Sequence, residues 1–128
     1  MLTITSLYAA LLTILYIVLS ARTIMMRQST KISLGAGDNE ALLRRVRAHA
    51  NFAEYIPLGL ILLLLSELSG SPLWLLHGAG VLLLVWRLSH VYGVDQGAPA
   101  LKFRIAGMVL TFTALGVLAG SLLYRYFI

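Results

Sequence analysis

Four apolar stretches, each long enough to cross a lipid bilayer, take up almost the whole chain, with short polar segments between them. A hydrocarbon core about 30 Å thick needs roughly 20 residues of helix at 1.5 Å each. The first stretch runs from about Leu2 to Met26 and is apolar until Arg22. The second begins near Asn39 and reaches about Leu68, the third covers about Pro72 to Gly93, and the fourth about Pro99 to Phe127. Residues 1–128 therefore read as one domain, an all-α integral membrane protein built as a four-transmembrane-helix bundle. The first stretch lacks a basic leader and is too long for a signal peptide.

Composition agrees. Only 12% of the 128 residues are charged and the mean hydropathy is +0.88, against roughly 25% charged in soluble domains. A soluble domain of this size could not hide so much apolar surface. The chain has no cysteine, which excludes disulfides, thiolate metal sites and cysteine nucleophiles. Its net charge of +5 does not point to nucleic acid, which needs a soluble basic face.

The connections are short. Gln28 to Asp38 has loop composition and ends in a helix N-cap signal, Ser69-Gly70-Ser71-Pro72 is a tight turn, and Val94 to Ala98 is a brief loop. Short loops make successive helices antiparallel neighbours. Arg22, Arg27, Lys31, Arg44, Arg45 and Arg47 flank the first loop and Arg87, Lys102 and Arg104 the third, whereas Arg125 lies at the other end. The positive-inside rule then places the first and third loops in the cytoplasm and both termini outside.

Chemistry concentrates in Arg44-Arg45-Val46-Arg47-Ala48-His49-Ala50-Asn51-Phe52-Ala53-Glu54-Tyr55-Ile56-Pro57. On a helix, Arg44, Arg47, Asn51 and Glu54 form one stripe that descends into the bilayer. An ionisable group at the depth of Glu54 costs a few kcal/mol on insertion scales, so function is its default reading. The plainer reading is a salt bridge that locks the bundle. Pro57 frees the Ala53 carbonyl inside the same helix. Arg87 and His90 sit three residues apart at the end of the third helix, and Lys102 and Arg104 begin the fourth. With Arg22, these place many cations at one depth, and an anionic small molecule carrying one cationic group would suit the mixed set. Arginines would take its carboxylates, Glu54 its ammonium and Asn51 an amide. The plainer reading of the cations is snorkelling to lipid headgroups. His49, His77 and His90 lack metal-ligand spacing, so no metal is expected. Gly116 and Gly120 form a small-xxx-small pair suited to helix packing.

Four short helices with RxRAHxNxxEYxP in the second resemble the MAPEG family, the membrane-associated proteins of eicosanoid and glutathione metabolism. The likeness is strongest over Arg44 to Pro57, is supported by the His90 region and by Arg104-Ile105-Ala106-Gly107, and is closest to the compact bacterial type. It implies a homotrimer in a bacterial inner membrane, with glutathione as co-substrate bound between subunits near the cytoplasmic side. By the resemblance, Arg47, Asn51, Glu54 and Tyr55 match the second-helix glutathione positions, Arg22 an arginine ending the first helix, and His90 a ligand contact on the third. Arg104 matches the arginine that stabilises the glutathione thiolate. Where some relatives carry a tyrosine one turn after the His90 position, this chain has Val94, and Tyr92 nearby faces another way by helical phase.

The function that follows is a glutathione-dependent membrane transferase or peroxidase, a detoxification enzyme. It would activate the thiol toward lipophilic electrophiles or hydroperoxides that enter from the membrane lipid. The alternative is a non-catalytic membrane scaffold or lipid-binding protein that retains the fold. A channel or transporter is disfavoured, because one polar cluster at one end makes no path across a membrane.

Overall fold

The structure, a computed structural model, describes residues 1–96 and 101–128. Its described residues form four helices: α1 (Thr3–Thr30), α2 (Glu40–Leu68), α3 (Leu73–Gln96) and α4 (Leu101–Phe127). All four are long and apolar enough to cross a membrane. Pairing is antiparallel along the chain: Ser20 meets His49 and Ile4 meets Glu67 between α1 and α2, while Arg87 meets Thr111 between α3 and α4. α2 and α3 form the centre, and among the described residues no α1 Cα lies within 8 Å of an α4 Cα.

The helix ends depart from the sequence reading in three places. α1 continues a turn beyond Met26, to Thr30, and stops where Lys31 adopts a left-handed φ of 57°. Arg27 is therefore helical, and its guanidinium donates to the Ile32 and Gly35 carbonyls at 3.1 and 2.7 Å, folding the loop back on the helix end. The cap of α2 is Asn39 rather than Asp38: the Asn39 side chain accepts from the Leu42 amide at 2.9 Å. This satisfies one of the four donors that a helix start leaves free. The turn at Ser69-Gly70-Ser71-Pro72 closes with Gly70 at φ 72°, a conformation that glycine adopts without strain. α3 runs on to Gln96, so Val94 is helical, while the rest of the expected third loop and the Pro99 start lie partly outside the described residues.

Two apolar clusters hold the bundle. Ile4, Tyr8, Leu63, Leu76, Ala79 and Leu118 pack at the end nearest the N-terminus. Leu12, Leu19, Phe52, Ile56, Leu83 and Ala114 pack at mid-depth. Outward faces are equally apolar, with Ile14, Ile17 and Val109 each more than half exposed, as suits side chains that meet lipid tails instead of water. The Tyr8 ring lies directly on Gly80, where any Cβ would collide with it. Its hydroxyl pairs with His77 Nδ1 at 3.0 Å, so His77 ties α3 to α1. His49 does the same for α2: its Nε2 pairs with Ser20 Oγ at 2.9 Å, and Tyr16 stacks on its ring at 5.0 Å.

The start of α1 depends on a residue from another helix. Leu2 occupies its N-cap and offers no side-chain acceptor. Glu67, at the end of α2, supplies both carboxylate oxygens instead, accepting from the Ile4 amide at 3.0 Å and the Thr5 amide at 2.7 Å. A carboxylate there also meets the positive end of the helix dipole. Glu67→Ala is expected to lower stability by about 1–2 kcal/mol, read as thermal unfolding in detergent. Glu67→Gln, which keeps one acceptor oxygen, should lose less. Equal stability for wild type and Glu67→Ala would mean that the two amides find other acceptors.

Candidate functional site

The α2 motif straddles the boundary between the buried and exposed faces of its helix. Phe52 and Ile56 point into the core, 4% and 3% exposed, and fix the helix rotation. Asn51 and Tyr55 are then half-buried against α3 and α4, while Arg47 and Glu54 face outward. Arg44 makes a partly exposed ion pair with Glu40 at 3.6 Å, an interaction of small value at a surface. α2 remains one helix through Pro57. Pro57 and Ala53 border an apolar groove of about 280 Å³ against Tyr16 and Leu12 of α1.

α3 and α4 approach closely at this end because two glycines allow it. A Cβ on Gly93 would lie 2.9 Å from the Arg104 backbone nitrogen, and one on Gly107 would lie 2.8 Å from His90 Cβ and 3.1 Å from the Trp86 carbonyl. His90 is consequently buried, 7% exposed, with Nδ1 facing the Arg104 carbonyl at 3.4 Å. Arg104 begins α4 with its side chain exposed beside it.

Asn51, His90 and Arg104 come together on one cavity of about 380 Å³ that is otherwise apolar, with Met108 and Phe112 in its wall. The other expected residues are placed around it and do not line it. Tyr55 lies behind, edge-on to Phe112 at 5.6 Å. Arg47 and Glu54 are on the outer side of α2, and among the described residues Glu54 has no ion-pair partner. Arg22 borders a separate recess of about 260 Å³ with Met26, Ala41, Arg44 and Arg45. Its carbonyl accepts from Arg45 at 3.0 Å. A larger crevice, about 910 Å³, opens at the opposite end between Trp74, Tyr124 and Arg125, far from the motif. Val94 is buried and Tyr92 turns outward, edge-on to Phe103 at 5.3 Å. Among the described residues nothing lies within 4 Å of where a Cβ on Gly116 or Gly120 would sit. Among the described residues no three His, Asp or Glu side chains gather as a metal site requires.

The residue whose importance the sequence reading missed is Arg87. Counted there with the basic helix ends, it is instead 1% exposed, the largest fully buried side chain. It donates to Asn51 Oδ1, and to Thr111 Oγ1 at 2.6 Å. Its guanidinium carbon sits 5.9 Å from the centre of the Tyr55 ring, within cation–π range. A signal was present: Leu76, Leu83, Arg87, His90 and Val94 recur at helical spacing, and all five are buried.

The model of the MAPEG family matches residues 5–124. The chain is 33% identical over 112 residues to Inner membrane protein YecN of Escherichia coli K12, covering 88% of this chain and 84% of the relative. A protein of the same name from Escherichia coli O6:H1 (strain CFT073) matches with the same identity and coverage. No solved structure matches the chain.

The α3–α4 contact that builds the cavity can be tested without a ligand. Gly107→Ala forces His90 or the Trp86 backbone to move. It is expected to cost about 1–3 kcal/mol, as overpacking does, measured by thermal unfolding in detergent. A variant as stable as the wild type would show that the two helices are not held this close.

Proposed function

The chain belongs to the MAPEG family, and on that premise we propose that it is a homotrimeric, glutathione-dependent membrane transferase or peroxidase. The observation that carries the reading is the convergence of Asn51, His90 and Arg104 on one cavity at the motif end of the bundle. Glutathione brings two carboxylates, an ammonium, two amides and a thiol. The amide of Asn51 and the guanidinium groups of Arg104 and Arg47 suit its acceptors, and Glu54 suits its ammonium. Tyr55 supports the cavity wall, and Arg22, at a separate recess of its own chain, would join the site only across a contact between copies.

One feature favours an assembly of copies that completes the site. Arg47 and Glu54 face outward from a membrane-spanning helix, where a charge against lipid is costly. A second copy laid over that face would remove the cost and bring Arg47 and Glu54 toward a neighbour's cavity. The relative's name supports an inner-membrane location, and the basic residues favour cytoplasmic first and third loops, with both termini outside.

The chemistry needs no nucleophile from the protein. A free thiol titrates near 8.5, and a nearby guanidinium lowers this toward neutrality. Arg104, which lines the cavity, would take that role. The thiolate then attacks the electrophilic carbon of a lipophilic substrate, forming a C–S bond as the leaving group departs with its electron pair. Toward a hydroperoxide, the thiolate attacks the terminal oxygen and breaks the O–O bond. The alkoxide takes a proton to leave as the alcohol, and a second thiol converts the sulfenic acid to a disulfide with loss of water. Catalysis is thus thiolate stabilisation and positioning, with substrates reaching the site laterally through the bilayer.

The test is the ultraviolet thiolate absorbance on adding glutathione to the detergent-solubilised protein. The wild type is expected to show it and Arg104→Ala to lose at least about nine-tenths of it, since one pKa unit is a tenfold change, with the trimer intact. No signal from a folded wild-type trimer would reject thiol activation and favour the scaffold or lipid-binding alternative. In that case Glu54→Gln would weaken the trimer whether or not glutathione is present.

A further inference from the structure

Arg87 is buried among neutral groups in the described part of the chain. It lies in a membrane-spanning helix, 1% exposed, and among the described residues no carboxylate stands within ion-pair distance. Its Nη1 donates to Asn51 Oδ1, and its Nη2 donates to Thr111 Oγ1 at 2.6 Å and lies 3.9 Å from Met108 Sδ. Among the described residues its Nε has no hydrogen-bond partner. Removing a guanidinium from water for two neutral acceptors is a poor exchange for stability alone, and simple packing would be served better by an apolar side chain.

The arrangement does one thing that an apolar residue could not. A guanidinium has five N–H donors and no acceptor, so the Asn51 atom that faces it must be the carbonyl oxygen. The Asn51 amide cannot then flip. Its Nδ2 is the other end of the amide and donates to Met108 Sδ at 3.5 Å, a residue of the cavity that Asn51 shares with His90 and Arg104. A thioether is a weak acceptor, so the two N–H groups of Asn51 have no strong partner. Thr111 is similarly committed: its hydroxyl donates to the Gly107 carbonyl at 2.8 Å and accepts from Arg87.

We propose that Arg87 is a positioning residue that locks the Asn51 amide with its N–H groups toward the cavity, so that this corner receives an oxygen acceptor, best met by a carboxylate. The assignment rests on the reading of the cavity as a glutathione site, where it selects a carboxylate of glutathione over its ammonium for the Asn51 corner. Arg87 itself touches no ligand. Its positive charge behind the amide strengthens the same preference, because the low-dielectric surroundings screen it little.

Asn51→Asp separates this arrangement from a merely structural one, because it moves two readouts in opposite directions. The new carboxylate gives Arg87 the counter-charge it lacks, so the melting temperature in detergent rises. Its second oxygen replaces the N–H groups at the cavity, so glutathione binding weakens by about tenfold or more. Arg87→Met frees the amide to flip and raises the KM for glutathione with little change in kcat. Arg87→Lys retains a donor to the oxygen and partly rescues KM. The proposal is overturned if Asn51→Asp melts lower than the wild type, or if it binds glutathione as tightly. Should the wild type bind no glutathione, the proposed function falls. The melting comparison uses no ligand, and it still decides whether Arg87 faces the Asn51 oxygen.

Discussion

Inside a bilayer there is no water to take up an unpaired polar group, and each one left over costs several kcal/mol. That constraint explains more of this bundle than apolar packing does, because the outward faces are as apolar as the inward ones and gain little by being covered. Specific polar contacts therefore set which helices meet and at what height. Glu67 closes the open end of α1. Tyr8 with His77 fixes α1 against α3, and Ser20 with His49 fixes α1 against α2. Arg125 donates to the Ser69 and Gly70 carbonyls at 2.8 and 3.0 Å, holding the end of α4 to the α2–α3 turn. Arg87 joins α2, α3 and α4 at the height of the motif.

These contacts divide the bundle into two ends with different tasks. At the end of Glu67, Tyr8 and Arg125, polar groups are spent on backbone carbonyls and amides, and the apolar cluster around Leu63 and Leu118 closes the space between them. At the other end, Gly93 and Gly107 draw α3 and α4 together, and the polar side chains of Asn51, His90 and Arg104 are left around an open cavity. A bundle built only for stability would have no reason to keep that cavity beside three polar groups. The order of the contacts along α3 makes the division plain: it passes from His77 on Tyr8, through Leu83 in the core, to Arg87 and His90.

Much of this was legible from the residues. Apolar length marked four spans, the Ser69-Gly70-Ser71-Pro72 turn stood out by its composition, and helical spacing put Asn51 and Glu54 near one edge of α2. What periodicity cannot tell is which neighbour a face meets. Glu67 looked like one more charge at a helix end, yet its partners lie 63 and 62 residues earlier in the chain. Asp38 and Asn39 are equally good caps by type, and the path of the loop chose Asn39. Arg87 was grouped by charge with residues near the membrane surface, whereas its phase along α3 matches Leu76 and Leu83. In an apolar helix, phase is the better guide: a charge on the core face is buried whatever its distance from the helix end.

The same reasoning bears on the charges that remain outside. Arg47 and Glu54 lie one and a half turns or more from the nearest loop residue, on a helix that reaches across the membrane, and face away from their own bundle. Arg44, Arg45 and Arg27 each satisfy themselves locally, on Glu40, the Arg22 carbonyl and the first loop. Length lets an arginine near the surface snorkel, but a glutamate side chain is short, and from the position of Glu54 it reaches little beyond its own turn. A group that covered and paired it would remove that cost. Under the proposed function, a neighbouring copy with a cationic ligand group between the chains would meet both needs at once, since the charge would then be buried and paired. The exposed side of α2 and the buried side of Arg87 would then be two halves of one requirement: the helix carries an amide inward and a carboxylate outward, and the anion and ammonium ends of the proposed zwitterionic ligand would match them.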